Sequence, residues 1–114
     1  MALISDCIFC RIIRQEIPAK IIAQNNHVLV IQDITPKAPI HYLIIPKTHI
    51  VDIASLQPSD STVSANMLFM AQQLSKQLPG SQSFRLIANN GRDSGQSVSH
   101  LHMHFLSGKQ MHDF

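Results

Sequence analysis

Apolar and polar positions alternate most regularly near the C-terminal end, where Ser97-Val98-Ser99-His100-Leu101-His102-Met103-His104-Phe105 sets an imidazole at every second position. Successive side chains of a strand point to opposite faces, so this pattern predicts one face bearing His100, His102 and His104 and another burying Leu101, Met103 and Phe105. A helix would spread the three imidazoles around its axis. Upstream, Ile8, Phe9, Ile12 and Ile13 share one side of a short helix over Cys7 to Gln15, with Pro18 at or just past its end. Lys20 to Ala23 and Val28 to Gln32 are β-branched stretches around Gln24-Asn25-Asn26-His27 and read as a hairpin. Asp33 and the proline-limited loop Thr35-Pro36-Lys37-Ala38-Pro39 lead to a third strand over His41 to Ile45, ended by Pro46.

Pro58-Ser59-Asp60 introduces a long helix, with Ser59 or Asp60 as its cap and Val63, Met67, Met70, Ala71 and Leu74 on one face; Pro79-Gly80 terminates it. Phe84 to Ala88 is a fourth strand. It runs into Asn89 to Ser97, a loop dense in turn formers, and residues beyond Phe105 read as an irregular tail. The elements predict an α+β domain on a mostly antiparallel sheet of about five strands, with one long and one short helix.

Composition narrows the class. A chain of 114 residues with 45% hydrophobic and 14% charged residues suits a single domain spanning 1–114. Its net charge is +2 and its Lys and Arg residues are scattered, which argues against nucleic acid as a partner and leaves nucleotides open as small ligands. No apolar run approaches membrane-spanning length and Met1 to Asp6 lacks a leader pattern, so no membrane partner and a cytosolic location are expected. Glu16 is the only glutamate, which argues against two-carboxylate glycoside chemistry.

Two patterns carry candidate chemistry. Cys7 and Cys10 form Cys-x-x-Cys, which suits a redox pair, ordinary buried thiols or half of a metal site. Three imidazoles on one strand face suit either metal ligation or a nucleophile with proton carriers around an anionic substrate. Gly95-Gln96-Ser97 favours the second reading, since its backbone N–H groups and hydroxyl stand where the histidine strand begins and form a plausible phosphate cradle.

His100-Leu101-His102-Met103-His104-Phe105-Leu106 resembles the histidine triad signature, in which three histidines alternate with apolar residues. The resemblance extends through Ile8-Phe9-Cys10-Arg11-Ile12-Ile13, Glu16-Ile17-Pro18-Ala19-Lys20, Asp33-Ile34-Thr35-Pro36, Ile45-Pro46-Lys47, His49-Ile50 and Gly95-Gln96-Ser97-Val98, and is to the Hint branch, the purine nucleoside phosphoramidases. It implies hydrolysis of the P–N bond of nucleoside 5′-phosphoramidates through a nucleotidyl-histidine. By position, His102 is the expected nucleophile, His104 binds phosphate oxygens, His41 supports the catalytic histidine, and Ser97 helps deliver the leaving amine's proton. Phe9, Ile12 and Ile17 are expected around the base, Asp33 and Ile34 at the ribose, and Asn89, Gly95, Gln96, Ser97 and Met103 near the phosphate.

The resemblance to bacterial members further implies a structural zinc on Cys7, Cys10, His49 and His100, with no cofactor required for catalysis, and a homodimer joined near the long helix and the Phe84 strand. The alternatives are a dinucleoside polyphosphate hydrolase, a nucleotide-binding regulatory module, and a catalytic zinc held by the triad. The sequence departs from the Hint pattern at Ser99, where an aromatic residue is common, and at Asp113-Phe114, where Phe114 stands in place of a longer aromatic and proline-containing tail.

Overall fold

The computed structural model describes residues 6–77 and 83–112. Strands β1 (Ile21–Gln24), β2 (Val28–Gln32), β3 (Ile40–Pro46), β4 (Phe84–Ile87) and β5 (Met103–Ser107) form one antiparallel sheet in the order β1-β2-β3-β5-β4. Helices α1 (Ile8–Ile13) and α2 (Ser61–Gln77) serve opposite faces. Val28, Val30 and Ile44 pack with the α2 residues Val63, Met67, Met70, Ala71 and Leu74, whereas Leu29, Ile31, Leu43 and Ile45 pack with Phe9 and Ile12 of α1. Both faces of the central strands are covered, which explains why β2 and β3 read as nearly continuous apolar runs.

Local chemistry fixes the element ends. The Asn25 carboxamide oxygen accepts from the His27 and Val28 N–H groups at 2.8 and 3.0 Å, closing the β1–β2 turn. α1 stops at Ile13 because Gln15 adopts φ 64° and the Glu16 N–H returns to the Arg11 carbonyl at 2.8 Å, ahead of Pro18. Asp60 does not cap α2 as expected. It closes the 3₁₀ turn Pro58–Asp60, its carboxylate accepting from the Gln57 N–H at 2.9 Å. The Pro79-Gly80 stop and Phe114 lie outside the described residues.

The histidine strand differs from expectation. β5 begins at Met103, so His100 and His102 lie in an irregular segment before it, and the strand runs on to Ser107 through the expected tail. β3 and β5 pair with Ile44 opposite Met103. Continuing that register would set Leu101 against Pro46, which has no N–H to give. Instead the Leu101 N–H donates to the Ile50 carbonyl at 2.6 Å and the Pro46 carbonyl faces His100 Nε2 at 2.9 Å. Leu101 and Phe105 nevertheless share the α2 core. Among the described residues no helix is long and apolar enough to cross a membrane.

Phe105 is fully buried and stacks on Phe84, with ring centroids 4.8 Å apart, and on Tyr42 at 6.5 Å. Phe105→Ala should lower unfolding free energy by about 3–5 kcal/mol through the cavity it leaves. Urea denaturation checks this, and a loss under about 1 kcal/mol would mean that the core closes around the gap.

Candidate active site

His102 is buried, and its Nδ1 lies 2.8 Å from the His100 carbonyl. A carbonyl only accepts, so Nδ1 carries the proton and neutral His102 keeps a lone pair on Nε2. The Phe9 ring stands edge-on to His102, with centroids 5.1 Å apart, and also lines a cleft of about 320 Å³ with Ile12, Ile17, Asp33 and Ile34. The cleft is mainly apolar, and Asp33 brings a carboxylate to it. Five residues expected at a base and ribose are thus gathered in one cleft, and Phe9 links that cleft to the second triad histidine. Ile34 is almost fully exposed at the rim, and so offers a surface without a packed partner.

His104, on β5, meets His41, on β3, through Nδ1 and Nε2 at 2.9 Å. The Lys37 N–H donates to His41 Nδ1 at 3.0 Å, which places the His41 proton on Nε2. That proton faces His104 Nδ1 and also Asp33 Oδ2 at 3.3 Å. With its Nδ1 accepting, neutral His104 carries its own proton on Nε2 and can donate it to an anion. Burial lowers the pKa of His41, with Asp33 pulling the other way. Burial likewise lowers that of His104, reinforced by His102 and His41 and opposed by Asp33. Asp33 Oδ1 meanwhile accepts from the Thr35 N–H at 2.8 Å and hydroxyl at 3.2 Å, so this carboxylate shapes its turn as well as facing the histidines.

His100 turns away from these groups. It is fully buried, its Nε2 donates to the Pro46 carbonyl, and its Nδ1 lies 3.2 Å from Cys7 Sγ and 3.6 Å from Cys10 Sγ. His49 Nδ1 is 3.2 Å from Cys10 Sγ. The donor atoms of Cys7, Cys10, His49 and His100 all lie within 4.8 Å of one another. Tetrahedral zinc bound by thiolate at about 2.3 Å and imidazole at about 2.0 Å holds neighbouring donors about 3.5 Å apart, so the four residues fit that ion. The Pro46 carbonyl supplies the outer hydrogen bond that such imidazole ligands make. Burial pushes His100 down to about 4, keeping its ring neutral and able to ligate.

In the loop before the triad, two of the backbone N–H groups expected to cradle phosphate close a turn. The Gly95 N–H donates to the Arg92 carbonyl at 3.0 Å and the Gln96 N–H to the Gly91 carbonyl at 3.2 Å. The Gln96 side chain is also engaged, accepting from the Gly91 N–H and donating to the Val51 and Val98 carbonyls. These residues therefore shape the loop, with Gly95 at φ 104° beside the Asn89 carboxamide. Ser97 is exposed and lines a separate cavity of about 530 Å³ with Cys7, His49 and Val98. Alternation turns the Met103 side chain to the α2 core, as its position opposite the histidines predicts, so that any part it takes near the phosphate is through its backbone.

A backbone carbonyl or a neighbouring histidine was the expected acceptor for the second nitrogen of His102, but the sequence did not single out the particular groups that set the tautomers: the Lys37 N–H and the carbonyls of Pro46 and His100. All are backbone atoms. A proline at the end of β3 was the one visible sign, since it stops the ladder and frees its carbonyl.

Comparison with known proteins identifies the family and matches the fold. The family profile described as HIT domain matches residues 14–111. An uncharacterised HIT-like protein of Synechocystis sp. is 39% identical over 104 residues, covering 91% of each chain. A histidine triad protein of Clostridium difficile superposes with TM-score 0.93 at 34% identity, covering 100% of this chain and 99% of that one. A HIT family hydrolase of Legionella pneumophila gives TM-score 0.87 at 40% identity over 94% and 96% of the two chains.

The ring protons of His41 and His104, followed by NMR across a pH series, should titrate below 6.5. The folded protein then resists protonation more than the unfolded chain does, so these rings lower stability as pH falls through 6.5 and leave it unchanged above. A midpoint at or above 6.5 for either ring would contradict their burial as neutral imidazoles.

Proposed function

The chain belongs to the HIT domain family, and on that premise we propose that it hydrolyses purine nucleoside 5′-phosphoramidates, AMP joined to an amine being the type. The observation that carries this reading is the hydrogen bond from His102 Nδ1 to the His100 carbonyl, which selects the tautomer whose lone pair is on Nε2, in a ring that Phe9 joins to the cleft. The name of the Legionella relative, a HIT family hydrolase, supports the reaction class.

In this reading the base enters between Phe9, Ile12 and Ile17, and Asp33 accepts from the ribose hydroxyls with Ile34 over the sugar. His102 Nε2 attacks the α-phosphorus, the P–N bond breaks, and the amine leaves with a proton. His104 Nε2–H donates to a phosphate oxygen, while His41 holds the other side of that ring. Ser97 is the proposed proton donor to the amine, the role that its place in the histidine triad resemblance implies. Asn89, whose carboxamide stands beside Gly95, is the proposed contact to the phosphate or the leaving group. Water then cleaves the nucleotidyl-histidine, releasing the nucleotide and restoring His102.

Cys7, Cys10, His49 and His100 are read as a structural zinc site, since a closed set of four ligands leaves no position for substrate. Zinc there supplies a cross-link between α1, the segment after β3 and the segment before β5. A second copy of this chain is the proposed protein partner. β4 is an edge strand, Phe84 at its start is partly exposed, and Leu68 and Phe69 stand out from α2. The cytosol is the compartment proposed.

The competing substrate is a dinucleoside polyphosphate, attacked by the same histidine with a nucleotide as leaving group. Initial rates on an AMP amide and on diadenosine tetraphosphate separate the two. The amide should have the larger kcat/KM by about tenfold or more. A larger value for the tetraphosphate would replace the phosphoramidase reading.

A further inference from the structure

The segment carrying His100 and His102 lies ahead of β5, outside the sheet ladder. Its backbone is tied to Ile50 through the Leu101 N–H, and much of its remaining anchorage comes from side chains. His100 is the most constrained of these. One ring nitrogen donates to the Pro46 carbonyl, the other faces the sulfurs of Cys7 and Cys10, and the His49 ring stands edge-on at 4.8 Å. The carbonyl of this same residue accepts the His102 Nδ1–H. The ring and the carbonyl belong to one short, irregular piece of backbone, so whatever fixes the ring also limits the direction of the carbonyl. Phe9 adds a second link, since it lies between the two cysteines in sequence and its ring touches both His100 and His102.

We propose that Cys7, Cys10 and His49 are positioning residues for His102: by gripping the His100 ring they aim its carbonyl, and that carbonyl holds His102 in the tautomer with a free Nε2. The cluster then controls turnover as well as stability. Had His100 and His102 lain within β5, ladder hydrogen bonds would orient the carbonyl and the cluster would have little to add. An ion shared by the four donors would tighten the grip, and without it His100 is held by Pro46 and by its contacts with the two cysteine side chains. The expected effect is the order of change seen when an outer hydrogen-bond partner of a site is removed, about tenfold or more. The inference rests on the proposed role of His102, but its first readout needs no substrate.

His49→Ala removes a cluster ligand that lies in neither α1 nor the triad, and His49→Cys replaces it with another zinc ligand. Both are compared with the wild-type chain at a temperature where circular dichroism shows all three folded, with zinc content measured for each. Nitrogen-15 NMR reads the His102 tautomer, and steady-state kinetics on an AMP amide gives kcat and KM. The wild-type chain and His49→Cys should hold zinc and show a single Nδ1–H tautomer at His102. His49→Ala should lose zinc, show mixed His102 tautomers, and lose about tenfold or more in kcat while KM moves less than about threefold. A zinc-free His49→Ala that keeps the wild-type tautomer and kcat would overturn the proposal, as would a wild-type chain that shows the single tautomer after its zinc is stripped. If the tautomers change as expected and no AMP amide is cleaved, the positioning stands and the substrate assignment fails.

Discussion

The hydrogen bond from His102 Nδ1 to the His100 carbonyl is the constraint on which the site depends. Neutral imidazole has one basic nitrogen, and this contact decides which one it is. Everything around it serves that choice. β3 brings His41 to the second nitrogen pair, α1 brings Phe9 to the flank of the ring, and the turn after β2 places Asp33 at the edge of the same cleft. The sheet is the reason these parts meet, because the β3–β5 register sets Leu43 against His104 and His41 against Leu106.

Three imidazoles spaced alike in sequence meet three different environments. His100 is sealed among sulfurs, His102 is tied to a carbonyl beside an apolar wall, and His104 shares a proton with His41. Burial lowers the pKa of His41, His100 and His104 by the same physical cause, yet the outcome differs with the partner of each second nitrogen. A neutral ring can ligate, attack or donate according to which nitrogen holds the proton. Backbone groups make that choice here.

Much of the fold was legible in the sequence. The five buried positions of α2 follow its 3.6-residue period, and the Asn25 turn and the β2 and β3 runs stand out by composition. The start of β5 was not legible, because alternation continues through His100 to Phe105 while the ladder ends where Pro46 has no N–H to offer. In the site, residue types with distinctive chemistry were readable: Cys7, Cys10, His49 and His100 converge as their resemblance implied. That the Gly95 and Gln96 amides close a turn was not legible, because a glycine-rich loop looks alike whether its amides face a ligand or bond within the loop.

The most direct test of the account is to quench the protein during turnover of an AMP phosphoramidate and locate the covalently bound nucleotide by peptide mass spectrometry. The account predicts a nucleotidyl adduct on His102, through the nitrogen left free by the His100 carbonyl. An adduct on any other residue would contradict it.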